Sequence, residues 1–281
     1  MNKQYLGKKD IQAKLLNILK FVDEIARENS INYSLGGGTL LGAVRHQGFI
    51  PWDNDVDIML IRSEYERLIS VLKEETKGSN FKLIVNDFEK GSQNYNPLFH
   101  ARLVAKDVAL KSINLADYTS GGLGVEIFPI DLLPKSNSDN FRQVVKDKMN
   151  SALSADIRYY WTSNSRIKSF SKIFLYFPKF LKSIRNGNMS SQLITTNNFM
   201  KSVNWNDAKE ASWLGTFYDE AYSKELFENY SDYQFEDTVL MGIRDANQYL
   251  ENLYGDYMVL PPEEKRTAHE FVKFYYKNKK G

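Results

Sequence analysis

The chain has 281 residues, 42% of them hydrophobic and 26% charged, with a formal net charge of +2. That composition excludes an intrinsically disordered chain and suffices for a large core, either in one domain or in a catalytic domain with an appended helical part. The lack of cysteine excludes disulfides, zinc ribbons, iron–sulfur sites and thiol nucleophiles.

The first thirty residues carry charges throughout, from Lys8, Lys9 and Asp10 to Asp23 and Glu24. This pattern fits neither a signal peptide nor a spanning helix, so a cytoplasmic location is expected. Ile11, Leu15, Ile18, Val22 and Ile25 recur at steps of three and four, which predicts an amphipathic helix over 9–29. An apolar run from Ile31 to Leu35 enters Gly36, Gly37, Gly38 and Thr39, and Leu40 to Arg45 follow: strand, glycine turn, helix. Asp55 to Ile61 has the length and branched residues of a strand. Ser63 to Glu66 fits a capping box opening a further helix through Leu68, Ile69, Val71 and Leu72. Strands are also predicted over 81–85, 98–104 and 123–127, giving an α+β (α/β-like) amino-terminal half. From Ser138 the pattern turns mainly helical, with a further helix near 245–253, and the expected division is 1–135 and 136–281.

Three groups of residues bear on chemistry. On a strand, Asp53, Asp55 and Asp57 would project from one face, and carboxylates at i and i+2 can grip one hard cation; oxygen ligands favour magnesium, manganese or calcium over zinc. An acidic turn capping the strand would look the same. The glycine turn exposes backbone amides at a helix start, where a phosphate can bind, although it is neither a Walker loop nor a GxGxxG fingerprint. Together they suggest a polyphosphate site. His46, His100 and His269 lie far apart in the sequence and are not expected to build a metal or nucleophile site. The third group is a basic, aromatic stretch: Arg158, Arg166, Lys168, Lys172, Lys179, Lys182 and Arg185 occur with no Asp or Glu between 158 and 185, interleaved with Tyr159, Tyr160, Trp161, Phe170, Phe174, Tyr176, Phe177 and Phe180. Such a segment suits an anionic membrane surface, a helix with a solvated basic face, or nucleic acid, and the first is favoured.

The segment Tyr33-Ser-Leu-Gly-Gly-Gly-Thr-Leu-Leu-Gly-Ala-Val-Arg-His-Gln-Gly-Phe-Ile-Pro-Trp-Asp-Asn-Asp-Val-Asp-Ile58 resembles the signature of the LicD/fukutin-related family. Gly124-Val-Glu-Ile-Phe-Pro-Ile-Asp131 and Tyr254-Gly-Asp-Tyr-Met-Val-Leu-Pro-Pro-Glu-Glu-Lys-Arg266 resemble the family's second and carboxy-terminal motifs. The resemblance implies a nucleotidyltransferase-fold mixed sheet. It also implies magnesium-dependent (or manganese-dependent) transfer of a phosphoalkyl group, phosphocholine first, from a CDP-linked donor to a sugar of a cell-surface polysaccharide such as teichoic acid or capsule, or to its lipid-linked precursor. CDP-ribitol or CDP-glycerol as donor, nucleotidyl transfer by the same fold, and a non-enzymatic membrane-associated scaffold are the alternatives. A peripheral position at the inner face of a bacterial membrane would follow from a lipid-linked acceptor, and no nucleic-acid partner is expected. One departure is Asn54, where the family often carries a third acid.

On this reading Asp55 and Asp57 hold the metal. Glu126 completes the set: Val125 and Ile127 flank it as on a strand, and the resemblance places an acidic ligand before the aromatic–proline pair. Asp131 is the competing candidate and an alternative general base. Gly37, Gly38 and Thr39 would supply amides and a hydroxyl to the phosphates, Arg45 a positive partner, and Trp52 a packing or base-stacking surface.

Overall fold

The computed structural model describes residues 4–85, 98–112, 122–160, 166–215, 220–266 and 272–277. Helix α1 (Lys8–Glu28) buries the stripe read from its periodicity, with Leu19 and Ala26 added to it. Strand β1 (Ser34–Leu35), helix α2 (Gly37–His46), strand β2 (Asp57–Ile61) and helix α3 (Arg62–Glu75) follow. Helix α3 leaves β2 without a connecting loop, and its N-cap, Ile61, makes no side-chain cap bond. The capping box expected at Ser63–Glu66 is therefore not used, because Ser63 already lies inside the first turn.

Next come β3 (Phe81–Ile84), β4 (Ala101–Ala105), β5 (Val108–Ser112) and β6 (Gly124–Pro134). Strand β6 runs well past Ile127, where the apolar pattern alone would have ended it, because its second half finds its own partner. Asp131 to Pro134 pair antiparallel with β7 (Ala208–Ser212), which pairs in turn with β8 (Tyr222–Ser223). The main sheet has the order β1-β2-β6-β4-β3, with β7 and β8 joined to it through β6. Strands β2 and β6 run parallel with Asp57 opposite Glu126, and the remaining pairs in that order are antiparallel. Mixed pairing with helices segregated along the chain is the α+β class.

Helices α4 (Ser138–Ser154), α5 (Arg166–Ile184) and α6 (Met189–Met200) intervene before β7. Val145 and Met149 of α4 and Leu193 and Met200 of α6 form a satellite core with Phe99, Leu133 and Leu214. A hairpin, β9 (Tyr230–Phe235) and β10 (Thr238–Ile243), then helix α7 (Ala246–Tyr254), pack back on the main core, and β11 (Val272–Tyr276) pairs with β5. Among the described residues no helix is long and apolar enough to cross a membrane. Trp161 and His269 lie outside the described residues, as do the side chains of Arg158, Tyr159 and Arg166.

The hairpin buttresses the glycine turn. Ile243 N–H donates to the Ser34 hydroxyl at 2.9 Å, and Met241 N–H donates to the fully buried Tyr33 hydroxyl at 3.2 Å. That hydroxyl donates to Asp23 of α1 at 2.8 Å, so one phenol joins helix, strand and hairpin. At the other end of α2 the Glu236 carboxylate accepts from Phe49 N–H at 2.9 Å. Removing the phenol leaves the Met241 amide without its acceptor, so Tyr33→Phe is expected to cost about 1–3 kcal/mol in urea unfolding. A loss below ~0.5 kcal/mol would show that the phenol bridge contributes little to holding the hairpin.

Candidate active site

The site is built on the junction of α2 and β2. Asp57 N–H donates to the Thr39 hydroxyl at 2.9 Å, and Asp57 C=O accepts from Gly36 N–H at 2.9 Å. Both bonds fix the first residue of β2 against the first turn of α2. Gly37 takes φ +47°, a backbone region that glycine enters without penalty. A Cβ at residue 38 would stand 3.0 Å from the Asp53 carboxylate, so a side chain there would push that group aside.

Asp57 lies in the strand, whereas Asp53 and Asp55 lie on the loop that enters it. The strand alternation expected over 53–57 is therefore replaced by a loop geometry, in which the Asp53 backbone carbonyl accepts from the Gln12 amide of α1 at 2.9 Å. The three carboxylates still converge. Asp57 is held well above the ordinary carboxylate range, first by burial and then by the charges of Glu126, Asp55 and Asp53, with Arg102 offsetting part. Asp53 is pushed up to about 8, again first by burial and then by its hydrogen bond to Asp55 and that group's charge. Asn54 joins neither effect through its side chain; its N–H donates to Asp53 at 3.0 Å.

Glu126 stands beside Asp57 across the parallel ladder, yet its oxygens also lie 3.3 Å from Arg102 Nε and 3.4 Å from His100 Nε2. His100, to which no motif points, packs on Phe128 at 4.4 Å, and burial lowers its imidazole to about 4, leaving it neutral at neutral pH. Among the described residues no group of three or more His, Asp or Glu side chains forms a ready-made metal site. The donor chemistry nonetheless fits a hard cation: oxygen ligands only, and a carboxylate raised by its carboxylate neighbours. Magnesium is commonly held by one or two carboxylates completed by substrate phosphates.

Asp131 belongs elsewhere. Five residues beyond Glu126, or roughly 16 Å along β6, it is 1% exposed, and Arg62 grips both its oxygens at 2.7 and 2.5 Å. The second motif's two acids thus serve opposite ends of one strand, and Asp131 is a buried structural ion pair rather than a general base at the carboxylates. Two of the groups expected to bind phosphate are also engaged internally: Gly37 N–H donates to the Tyr249 hydroxyl at 3.1 Å, and the Thr39 hydroxyl accepts from Asp57.

Two cavities meet at Gly38 and Tyr254. The larger, about 620 Å³, is lined by Gly38, Arg45, Trp52 and Asp53 and by the segment from Asp256 to Pro262. Arg45 is anchored there through the Tyr257 carbonyl at 2.6 Å, and Arg266 stacks over Trp52 at 5.7 Å. The smaller, about 160 Å³, is walled by Trp213, Tyr222, Tyr249 and Tyr254 around Gly37, Asp57 and Glu220. Trp213 is fixed by stacking on Phe128 at 4.6 Å, and Tyr222 packs on Tyr249 at 4.7 Å. None of the four aromatic walls was identifiable as a set from the sequence. Tyr249 sits at a helical core position, Trp213 directly follows β7 and Tyr222 opens β8, all far along the chain.

Residues 30–150 match the family model described as LicD/FKTN/FKRP, nucleotidyltransferase domain. The chain is 26% identical over 272 residues to the lipopolysaccharide cholinephosphotransferase LicD of Haemophilus influenzae, covering 94% of this chain and 96% of that protein. An uncharacterised protein of Rickettsia prowazekii is 42% identical over 66 residues, 24% of each chain.

Asp131, outside the site, and Asp57, within it, call for opposite outcomes. Asp131→Asn strands Arg62 and is expected to cost about 3–5 kcal/mol of stability. Asp57→Asn is expected to stabilise the protein in chelator near pH 8, because the buried carboxylate is held well above its ordinary range. A carboxylate raised on folding leaves stability intact below its unfolded value near 4 and erodes it as pH rises, so that gain should vanish towards pH 4. Urea midpoints across this range check both; a destabilised Asp57→Asn at pH 8 would contradict the charge crowding.

Proposed function

Since residues 30–150 carry the LicD/FKTN/FKRP nucleotidyltransferase domain, we propose that this transferase moves phosphocholine from a CDP-linked donor to a glycan hydroxyl. The observation that carries the reading is the pair of cavities meeting at the carboxylates. A nucleotide fits the larger, where Arg45 offers charge and Trp52 a ring. The smaller compares with the roughly 150 Å³ cavity that holds a benzene-sized guest, and it combines aromatic walls with the Glu220 carboxylate. Aromatic faces with an acid attract a quaternary ammonium and offer little to the hydroxyl chain of ribitol or glycerol.

A CDP-linked donor spanning both cavities would lay its diphosphate across Gly38 beside Asp53, Asp55 and Asp57. The acceptor hydroxyl attacks the phosphorus bearing the alcohol and gives up its proton to solvent, the bond to the bridging oxygen breaks, and CMP leaves with that electron pair. Such transfer needs positioning and charge neutralisation more than covalent participation by the protein. Asp55 and Asp57 would hold magnesium, or manganese in its place, with Glu126 beside Asp57 as the third acid; the ion would supply neutralisation of the diphosphate. Arg45 and Trp52 would orient the nucleotide, and Glu220 with Trp213, Tyr222, Tyr249 and Tyr254 the alcohol. The acceptor is proposed to be a polysaccharide sugar or its lipid-linked precursor.

Incubation with CDP-choline, CDP-ribitol and CDP-glycerol, each with a glycan acceptor, tests the reading. CMP release is expected with CDP-choline, abolished by chelator and restored by magnesium, and lowered by about two decades or more in Asp57→Asn. Nucleotide appearing on the acceptor would mean nucleotidyl transfer instead, and no turnover with any donor would leave a binding protein. Glu220→Gln should raise KM for CDP-choline about tenfold, the worth of a desolvated cation contact. An unchanged KM would remove the small cavity from alcohol recognition.

A further inference from the structure

Helix α5 turns an apolar stripe outward. Ile167, Phe170, Phe174, Phe177, Leu181 and Ile184 follow one another at steps of three and four, and they are 79%, 62%, 87%, 45%, 41% and 39% exposed. At 100° per residue they occupy one sector of the helix. A second sector holds Lys168, Lys172, Lys179 and Lys182, all exposed, and the helix contains no Asp or Glu. The third sector faces the protein: Tyr176 stacks on Tyr160 at 5.6 Å, and the buried Ser183 offers its carbonyl to the Gln192 amide at 2.9 Å. The helix is therefore docked on the protein through a face other than the stripe.

We propose that the outward face of α5 lies in the headgroup layer of an anionic lipid bilayer, with its aromatic stripe inserted and its lysines on lipid phosphates. Charge selects this occupant. An acid-free helix with four lysines beside the apolar stripe is complementary to an anionic surface, where each lysine adds roughly fivefold to the partition. A second copy of the same helix would bring lysines against lysines, whereas paired helices use opposite charges beside the seam. Pro178 within the helix further disfavours a continuous seam, because it removes one backbone hydrogen bond and crowds the preceding turn. With no helix among the described residues able to cross a membrane, α5 would lie in the interfacial plane. The inference stands apart from donor chemistry, which neither stripe nor lysines touch.

The full chain is sedimented with vesicles of phosphatidylcholine alone and of phosphatidylcholine with phosphatidylglycerol. Binding to the anionic vesicles, absent from the neutral ones and reduced at least tenfold by high salt, is the expected result. Phe170→Ser with Phe174→Ser, and separately Lys172→Glu with Lys179→Glu, should each lower binding at least tenfold while far-ultraviolet circular dichroism and urea midpoint stay unchanged. CMP release with a water-soluble acceptor, read in parallel, should be unaffected, which separates failure here from failure of the transfer reaction. Equal binding to neutral and anionic vesicles, undiminished binding by either folded variant, or a dimer in light scattering that the Phe variant dissolves and no vesicle binding, would each overturn the proposal.

Discussion

The backbone of Asp57 is fixed from both sides by the glycine turn: Thr39 accepts its N–H and Gly36 donates to its carbonyl. Those two bonds decide where the first residue of β2 stands, and its parallel pairing then sets Glu126 beside it. The pairing of Asp57 with Glu126 is positioned through that joint. The hairpin behind it secures Tyr33 and Ser34, α1 secures the loop through Gln12, and the amide of Gly37 reaches forward to Tyr249 of α7. A rigid frame is what a reaction governed by placement of charge requires.

The same frame forces carboxylates together where burial already penalises them. Asp57 and Asp53 both pass above their ordinary range, and Arg102 offsets only part of the effect on Asp57. The protein tolerates this because stability is supplied at a distance, in the α1 stripe, the satellite core of α4 and α6, and the clamp of Arg62 on Asp131. A region held in an unfavourable charge state by well-packed surroundings is a usual property of binding and catalytic sites.

Local periodicity made much of this readable from the residues alone. The stripe of α1, the strand–glycine–helix order and the position of β2 follow from spacings within a few residues, and the structure keeps them with shifted ends. What depends on partners far along the chain was not readable. β6 outran its apolar pattern because β7 pairs with its second half, and Asp131 looked like a neighbour of Glu126 because motif proximity hides the length of an extended strand. The amide of Gly37 and the hydroxyl of Thr39 had the right chemistry for phosphate, but their internal partners are set by tertiary contacts. The aromatic walls of the small cavity come from the residue after β7, from β8 and from α7, and only folding assembles them.

Tyr254 stands at the end of α7, 44% exposed, and forms part of the wall of both cavities. A shared wall can make two compartments thermodynamically reciprocal: whatever factor a ligand in one applies to the affinity for a ligand in the other, the second returns to the first. Under the proposed reaction, the two halves of the donor are then not independent fragments, and the departure of either product bears on the wall that holds the other.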